Sequence, residues 1–142
     1  MQSILTEIAA LLATVSSLPM RVSVPIPQTE ALFIWPWRVD LDQATGAGRS
    51  PSRDPTVPLQ SSPVRIQLML IAQQADRTQS LATLLACGRV LETNPVVRVS
   101  DAEGLIVLAS LPTSDLCGVF TASGVLMQPC LNYSLSVVSQ NA

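Results

Sequence analysis

LFIWPWRVDLD, residues 32–42, holds both tryptophans of a 142-residue chain in which aromatic side chains make up only 4% of the sequence. Its first half is continuously apolar, the pattern of a strand covered on both faces. Alternation along a strand places Phe33, Trp35 and Trp37 on one face and Ile34, Pro36 and Arg38 on the other. A proline forfeits a ladder hydrogen bond, so Pro36 predicts a sheet edge or a bulge at this point. Phe33 and Trp35 are therefore expected in the core. Trp37 lies past the proline, where the strand leaves the body.

The residues that follow change character abruptly. Residues 42–63 carry four prolines and two glycines among serines, threonines and charges, which leaves almost nothing to pack. A polar loop this long inside a domain is a functional element or a tolerated insertion. Beyond it VRIQLMLIA, residues 64–72, alternates again, with Val64, Ile66, Leu68 and Leu70 against Arg65, Gln67, Met69 and Ile71. Strand, long polar loop and strand predict an extended hairpin whose tip projects from the body.

Outward from this hairpin the elements are shorter. On the N-terminal side, Ile4, Leu5, Ile8, Leu11, Leu12 and Val15 recur at helical spacing, predicting an amphipathic helix that ends near Ser17 before Leu18-Pro19. MRVSVPIP then reads as a short, half-exposed strand closed by Pro25 and Pro27. On the C-terminal side, DRTQSLATLLACGRVLETNP is the clearest helix. Asp76 is its N-cap, Leu81, Leu84, Leu85 and Cys87 form its buried stripe, and Asn94-Pro95 stops it. VVRVS reads as a strand, DAEG as a turn and LIVLASLP as another strand. PTSDLCGVFTASG predicts one or two helical turns with Leu116, Val119 and Phe120 inward. The last strand sets Leu131, Tyr133, Leu135 and Val137 against Asn132, Ser134 and Ser136. The sum is one α+β domain over residues 1–142, a mostly antiparallel sheet flanked by helices, with the long hairpin loop projecting from it.

Composition narrows the function. The chain is 48% hydrophobic and 13% charged, which favours burial of some surface by other subunits or a large core. Its net charge of −2 gives no electrostatic case for nucleic acid or an anionic membrane. All eight cations are arginine, the cation that tolerates interfaces, although a bias toward GC-rich codons gives the same skew. The N-terminal apolar run lacks a basic leader and carries Glu7, which predicts a packed helix rather than a signal peptide. Three cysteines in no metal-type pair predict free thiols in a reducing cytosol.

Catalytic chemistry is scarce. No histidine is present, so serine or cysteine nucleophiles lose their usual base and zinc its commonest nitrogen ligand. Asp40 with Asp42 and Asp101 with Glu103 could serve a metal or acid–base step, but solvated carboxylates are the commoner outcome of such pairs. TGAG at 45–48 matches neither the P-loop nor the dinucleotide-binding pattern. No enzyme and no cofactor are expected.

The order of elements resembles the N-terminal domain of the cap proteins of contractile injection systems, the phage-tail-like particles that include extracellular toxin-delivery machines. The resemblance rests on RVSVPIP, ALFIWPWRVDLD, an arginine-containing polar loop and SPVRIQLMLIA. It continues through SLATLLACGRVLETNPVV, LPTSDLCGVF and the closing CLNYSLSVVS. It covers nearly the whole chain through loose motifs, and Trp35-Pro36-Trp37 stands where the family often has a Leu-Tyr pair. The resemblance implies a phage tail terminator-like fold. It also implies a structural subunit in a hexameric ring that closes the baseplate-distal end against inner-tube proteins, sheath proteins or both. On that reading the protein is cytoplasmic, assembled into a phage-tail-like particle, and binds neither nucleic acid nor membrane. Trp37, Arg38, Arg49, Arg53 and Arg65, on or beside the hairpin, are then the expected contacts with a neighbouring subunit or with tube or sheath. An alternative is a small binding or adaptor module that grips its ligand with the 42–63 loop.

Overall fold

The computed structural model describes residues 2–41, 64–100 and 102–139. In chain order these form α1 (Gln2–Ala13), β1 (Met20–Arg21), β2 (Ala31–Leu41) and β3 (Val64–Gln73). There follow α2 (Arg77–Thr93), β4 (Val96–Val99), β5 (Ala102–Leu108), α3 (Thr113–Ser123) and β6 (Leu131–Ser139). The strands make one six-stranded sheet in the order β1-β2-β3-β6-β5-β4. Every pairing is antiparallel except β1 with β2, which is parallel. This is the expected α+β architecture.

Sequence pattern explains why the sheet has unequal faces. On β2 and β3 both alternating sets are apolar, so both faces must be covered. Leu32 and Ile34 join Ile66, Leu68 and Leu70 beneath α1 and α2, where Ile4, Ile8 and Leu12 pack from α1. Ala31, Phe33 and Trp35 join Met69 and Ile71 on the opposite face, beneath Phe120 of α3. On β6 only one set is apolar: Tyr133, Leu135 and Val137 enter the α1/α2-side core.

The helices show where local chemistry decides. Helix α1 ends at Ala13, four residues short of the expected Ser17. Thr14, Val15, Ser16 and Ser17 are β-branched or hydroxylated, poor helix formers whose oxygens compete for the backbone. Thr14 Oγ1 donates to the Leu11 carbonyl at 2.6 Å, and Val15 is 41% exposed rather than packed. Helix α2 starts as expected, with the Asp76 carboxylate accepting from the Thr78 amide at 2.9 Å. Its buried stripe is Ser80, Leu84, Cys87 and Leu91, however, so Leu81 and Leu85 are exposed at 47% and 61%. Leucine counts alone could not place the stripe, because Leu81 and Leu85 each stand one position beyond a residue that faces the sheet. Helix α3 runs three turns rather than one or two, and Gly124 closes it in the left-handed region at φ 69°. Leu116, Val119 and Phe120 face inward as expected.

Two strand expectations also shift. MRVSVPIP is a strand only at Met20–Arg21, with Val22 and Val24 exposed beyond it. DAEG is not a free turn: Ala102, Glu103 and Gly104 already belong to β5, because Ala102 and Gly104 point into the core. A Cβ at Gly104 would lie 2.9 Å from Leu135 Cδ1 and 3.4 Å from Ile4 Cγ2. Glycine is what lets α1 settle on β5. Gly104→Ala should therefore cost about 1–2 kcal/mol by overpacking. Urea denaturation reads this as a lower midpoint at unchanged slope, and an unchanged midpoint would show that Leu135 and Ile4 yield freely.

Candidate interaction surface

The β2–β3 ladder contains the feature predicted at Pro36. Pro36 lies opposite Leu68 and Arg38 opposite Gln67, so Trp37 is an extra residue, a bulge in β2. A bulge of this kind places two successive side chains on one face. Trp37 stays beside Trp35 on the α3 side, and Arg38 joins it there instead of sharing the face of Ile34 and Pro36. The alternation expected for Arg38 is thus reversed by the inserted residue.

Helix α3 covers only part of its face of the sheet. Past its footprint the residues form two open rows across the strands. One row is Val107, Ser134, Gln67 and Arg38; the next is Val96, Leu105, Ser136, Arg65 and Asp40. Val96, Leu105 and Val107 are exposed at 42%, 46% and 53%, beside charged and hydroxyl side chains. The surface is a mixed apolar and polar sheet face with no helix over it among the described residues. Arg38 Nε and Asp40 Oδ2 are paired at 2.9 Å, and Arg98 Nε and Glu103 Oε2 at 3.2 Å. Both pairs are solvent-exposed and contribute roughly 0–1 kcal/mol each.

Of the five residues singled out from sequence, three therefore share this face: Trp37 and Arg38 through the bulge, and Arg65 from the adjoining strand across from Asp40. Arg49 and Arg53 lie outside the described residues, as does the whole 42–63 segment. Trp37 is half-buried, and its indole Nε1 donates to Asn132 Oδ1 at 2.8 Å. The Asn132 amide in turn donates to the Ala109 carbonyl at 2.9 Å and to Gln67 Oε1 at 3.1 Å. Trp37 thus has its polar handle engaged within the chain, leaving only ring surface to meet another molecule. Asn132 belongs to the polar alternating set of β6, yet it is 5% exposed and joins β2, β3 and the residue after β5. Nothing in the sequence marks it, because its partners are distant in the chain.

The opposite side of the sheet carries a second surface feature. An open apolar groove of about 530 Å³ runs between α2 and the β5–β6 pair. Leu85, exposed on α2, forms part of one wall with Gly88, and Leu108, Leu131 and Tyr133 form the other. Arg89 and Glu92 line it as well.

Reactive groups are few and subdued. No group of three or more potential metal-ligating side chains occurs among the described residues. Cys87 is buried, Cys130 half-buried and Cys117 exposed, all as free thiols. Burial pushes the Cys87 thiol up from 9.0 to about 11, and burial with the nearby Cys87 and Glu92 charges raises the Tyr133 phenol. A raised thiol pKa keeps the proton on the folded chain between pH 9 and 11, where the unfolded chain has lost it. Stability is then complete below this window and falls as pH rises through it. The expected loss is on the order of 2 kcal/mol. Denaturation at pH 8 and 10.5 checks it, and Cys87→Ala should remove the part of the slope that begins near 9. An equal slope in both proteins would assign it to other groups.

No helix among the described residues is long and apolar enough to cross a membrane. No protein-family model matches the chain, and no curated protein matches it in sequence. Among solved structures, the chain is similar over its whole length to a PVC sheath/tube terminator of an extracellular contractile injection system, in the extended state. The two superpose with a TM-score of 0.71 at 17% identity. The tube-terminating cap of the anti-feeding prophage is similar too, with a TM-score of 0.69 at 13% identity, again over the whole chain. The chain spans 57% and 56% of the lengths of these two proteins. Its fold is that of contractile injection system terminators, as the order of sequence elements implied.

Proposed function

We propose that this chain is a structural cap, or terminator, subunit of a contractile phage-tail-like injection particle. Residues 1–142 act as one cap domain that assembles into a hexameric ring at the baseplate-distal end, against the last tube ring, the last sheath ring or both. The observation that carries the reading is the correspondence of the entire chain with a sheath/tube terminator at a TM-score of 0.71. The surface agrees with it. A structural ring subunit needs broad, mixed apolar and polar faces, and the open side of the sheet and the α2 groove are of that kind.

Trp37, Arg38 and Arg65 are the described residues proposed to meet a neighbouring subunit or the tube or sheath, with Arg49 and Arg53 extending the set along the loop. Electron microscopy of particles purified with and without the gene tests the proposal. Wild-type particles should carry a closed ring of this protein at the end away from the baseplate, and the deletion should lack it. Intact particles from which the protein is missing by mass spectrometry would overturn the reading.

A further inference from the structure

The sheet has two edges, and they match one another. Past Phe33 the outer side of β2 has no strand beside it among the described residues, since β1 pairs only with Leu32 and Phe33. At the far end of the order, β4 has a partner on one side only. Unpaired strand edges are templates for another strand.

We infer that these two edges form one head-to-tail joint between copies of this chain, β4 of one copy lying parallel to residues 38–41 of the next; the inference rests on the ring reading. Four observations carry it. Successive antiparallel pairings from β2 through β3, β6 and β5 make β4 run in the same direction as β2, so copies rotated about an axis along the strands meet in parallel. The same edge of β2 already accepts a parallel strand, because β1 pairs with it that way. The lengths agree: β4 is a four-residue strand, Val96–Val99, and β2 past its bulge offers Arg38 to Leu41.

The side chains agree as well. Val39 and Leu41 are each 63% exposed on the α1/α2 side, where Val39 adjoins the buried Ile66. Through the ladder Val96 is level with Asp40, and a stagger of two residues sets Arg98 beside Asp40. That same stagger puts Val97 beside Val39 and Val99 beside Leu41, apolar on one face and opposite charges on the other. An odd stagger would bring Arg98 against the apolar face and is excluded by the pleat. Pro36 and the bulge blunt the edge only before Arg38, which leaves the matching segment free to pair.

Disulfide trapping tests the joint directly. In a Cys117→Ser background, Leu41→Cys and Val99→Cys are combined and the protein is oxidised at concentrations where wild type assembles, or on purified particles. Within one chain the two positions lie about four strand spacings apart, roughly 19 Å, too far to bridge. Parallel neighbours bring them within disulfide range. A ladder of covalent multimers ending in a closed species, absent from each single-cysteine variant, is expected. Charge reversal gives an independent measurement that needs no new thiol. Asp40→Arg and Arg98→Asp should each weaken association several-fold by sedimentation, and combining them should restore it. If native mass or microscopy shows a ring while no ladder forms and the charge reversals add rather than compensate, the joint is overturned and the ring stands. If wild type forms no ring in solution or on the tube end, both readings fall.

Discussion

Phe120→Ala is expected to lower the unfolding free energy by about 3–5 kcal/mol, the usual cost of truncating a buried aromatic side chain. Phe120 is the one residue of α3 that is fully buried, at 2% exposure. It meets Trp35 edge to face, with ring centroids 5.9 Å apart at 70°. Its neighbours Phe33, Met69 and Ile71 are fully buried, whereas the other side chains packed on this cluster, Leu111, Leu116, Val119, Val125 and Cys130 among them, are only half-buried. Removing the ring therefore leaves a cavity at the one fully buried point of the helix–sheet contact. Denaturant unfolding measures the loss, and hydrogen exchange should show the α3 amides losing protection ahead of the sheet. A change below about 1 kcal/mol with α3 still protected would mean that the half-buried positions hold the helix on their own.

Asn132→Leu is the second large effect, at about 3 kcal/mol, and it arises from polar groups rather than volume. The leucine fills similar space but leaves Trp37 Nε1, the Ala109 carbonyl and Gln67 Oε1 without the partner they now have at 2.8, 2.9 and 3.1 Å. A buried donor or acceptor without a partner costs roughly 1–3 kcal/mol, and Trp37, being half-buried, recovers part of its share from water. Adding Trp37→Phe removes one of the three groups left without that partner, so the double variant should be less unstable than the two losses summed. Strict additivity in that cycle would show that the Trp37–Asn132 bond contributes nothing to folding.

These two residues also mark how far the sequence could be read. Phe120 was legible because helical spacing and an apolar neighbourhood coincide there, and local pattern likewise recovered both faces of β2 as far as Pro36, the Asp76 cap and the alternation of β6. Asn132 was not, because a strand pattern assigns a polar residue to the wet side by default, and only the reach of Trp37 from β2 across β3 brings its indole onto it. Leu81 and Leu85 failed for a different reason. A helix with four leucines and a valine spread over about three turns does not reveal which stripe meets the sheet. Of the expected contact residues, the side of the sheet occupied by Arg38 depended on a one-residue insertion that Pro36 hinted at but could not position.

That insertion has a consequence for variation in this strand. Trp37 is slack in the strand: the ladder passes from Pro36 directly to Arg38, so Arg38 to Leu41 hold the sides they would have if the position were not there. Excising Trp37 would therefore make the ladder regular and leave Arg38 and Asp40 on the α3 side and Val39 and Leu41 on the α1/α2 side, at the loss of the indole and its bond to Asn132. A substitution at any one of these positions alters one contact. A one-residue deletion at the bulge is absorbed by the ladder, so length should be under looser constraint here than elsewhere in the strand.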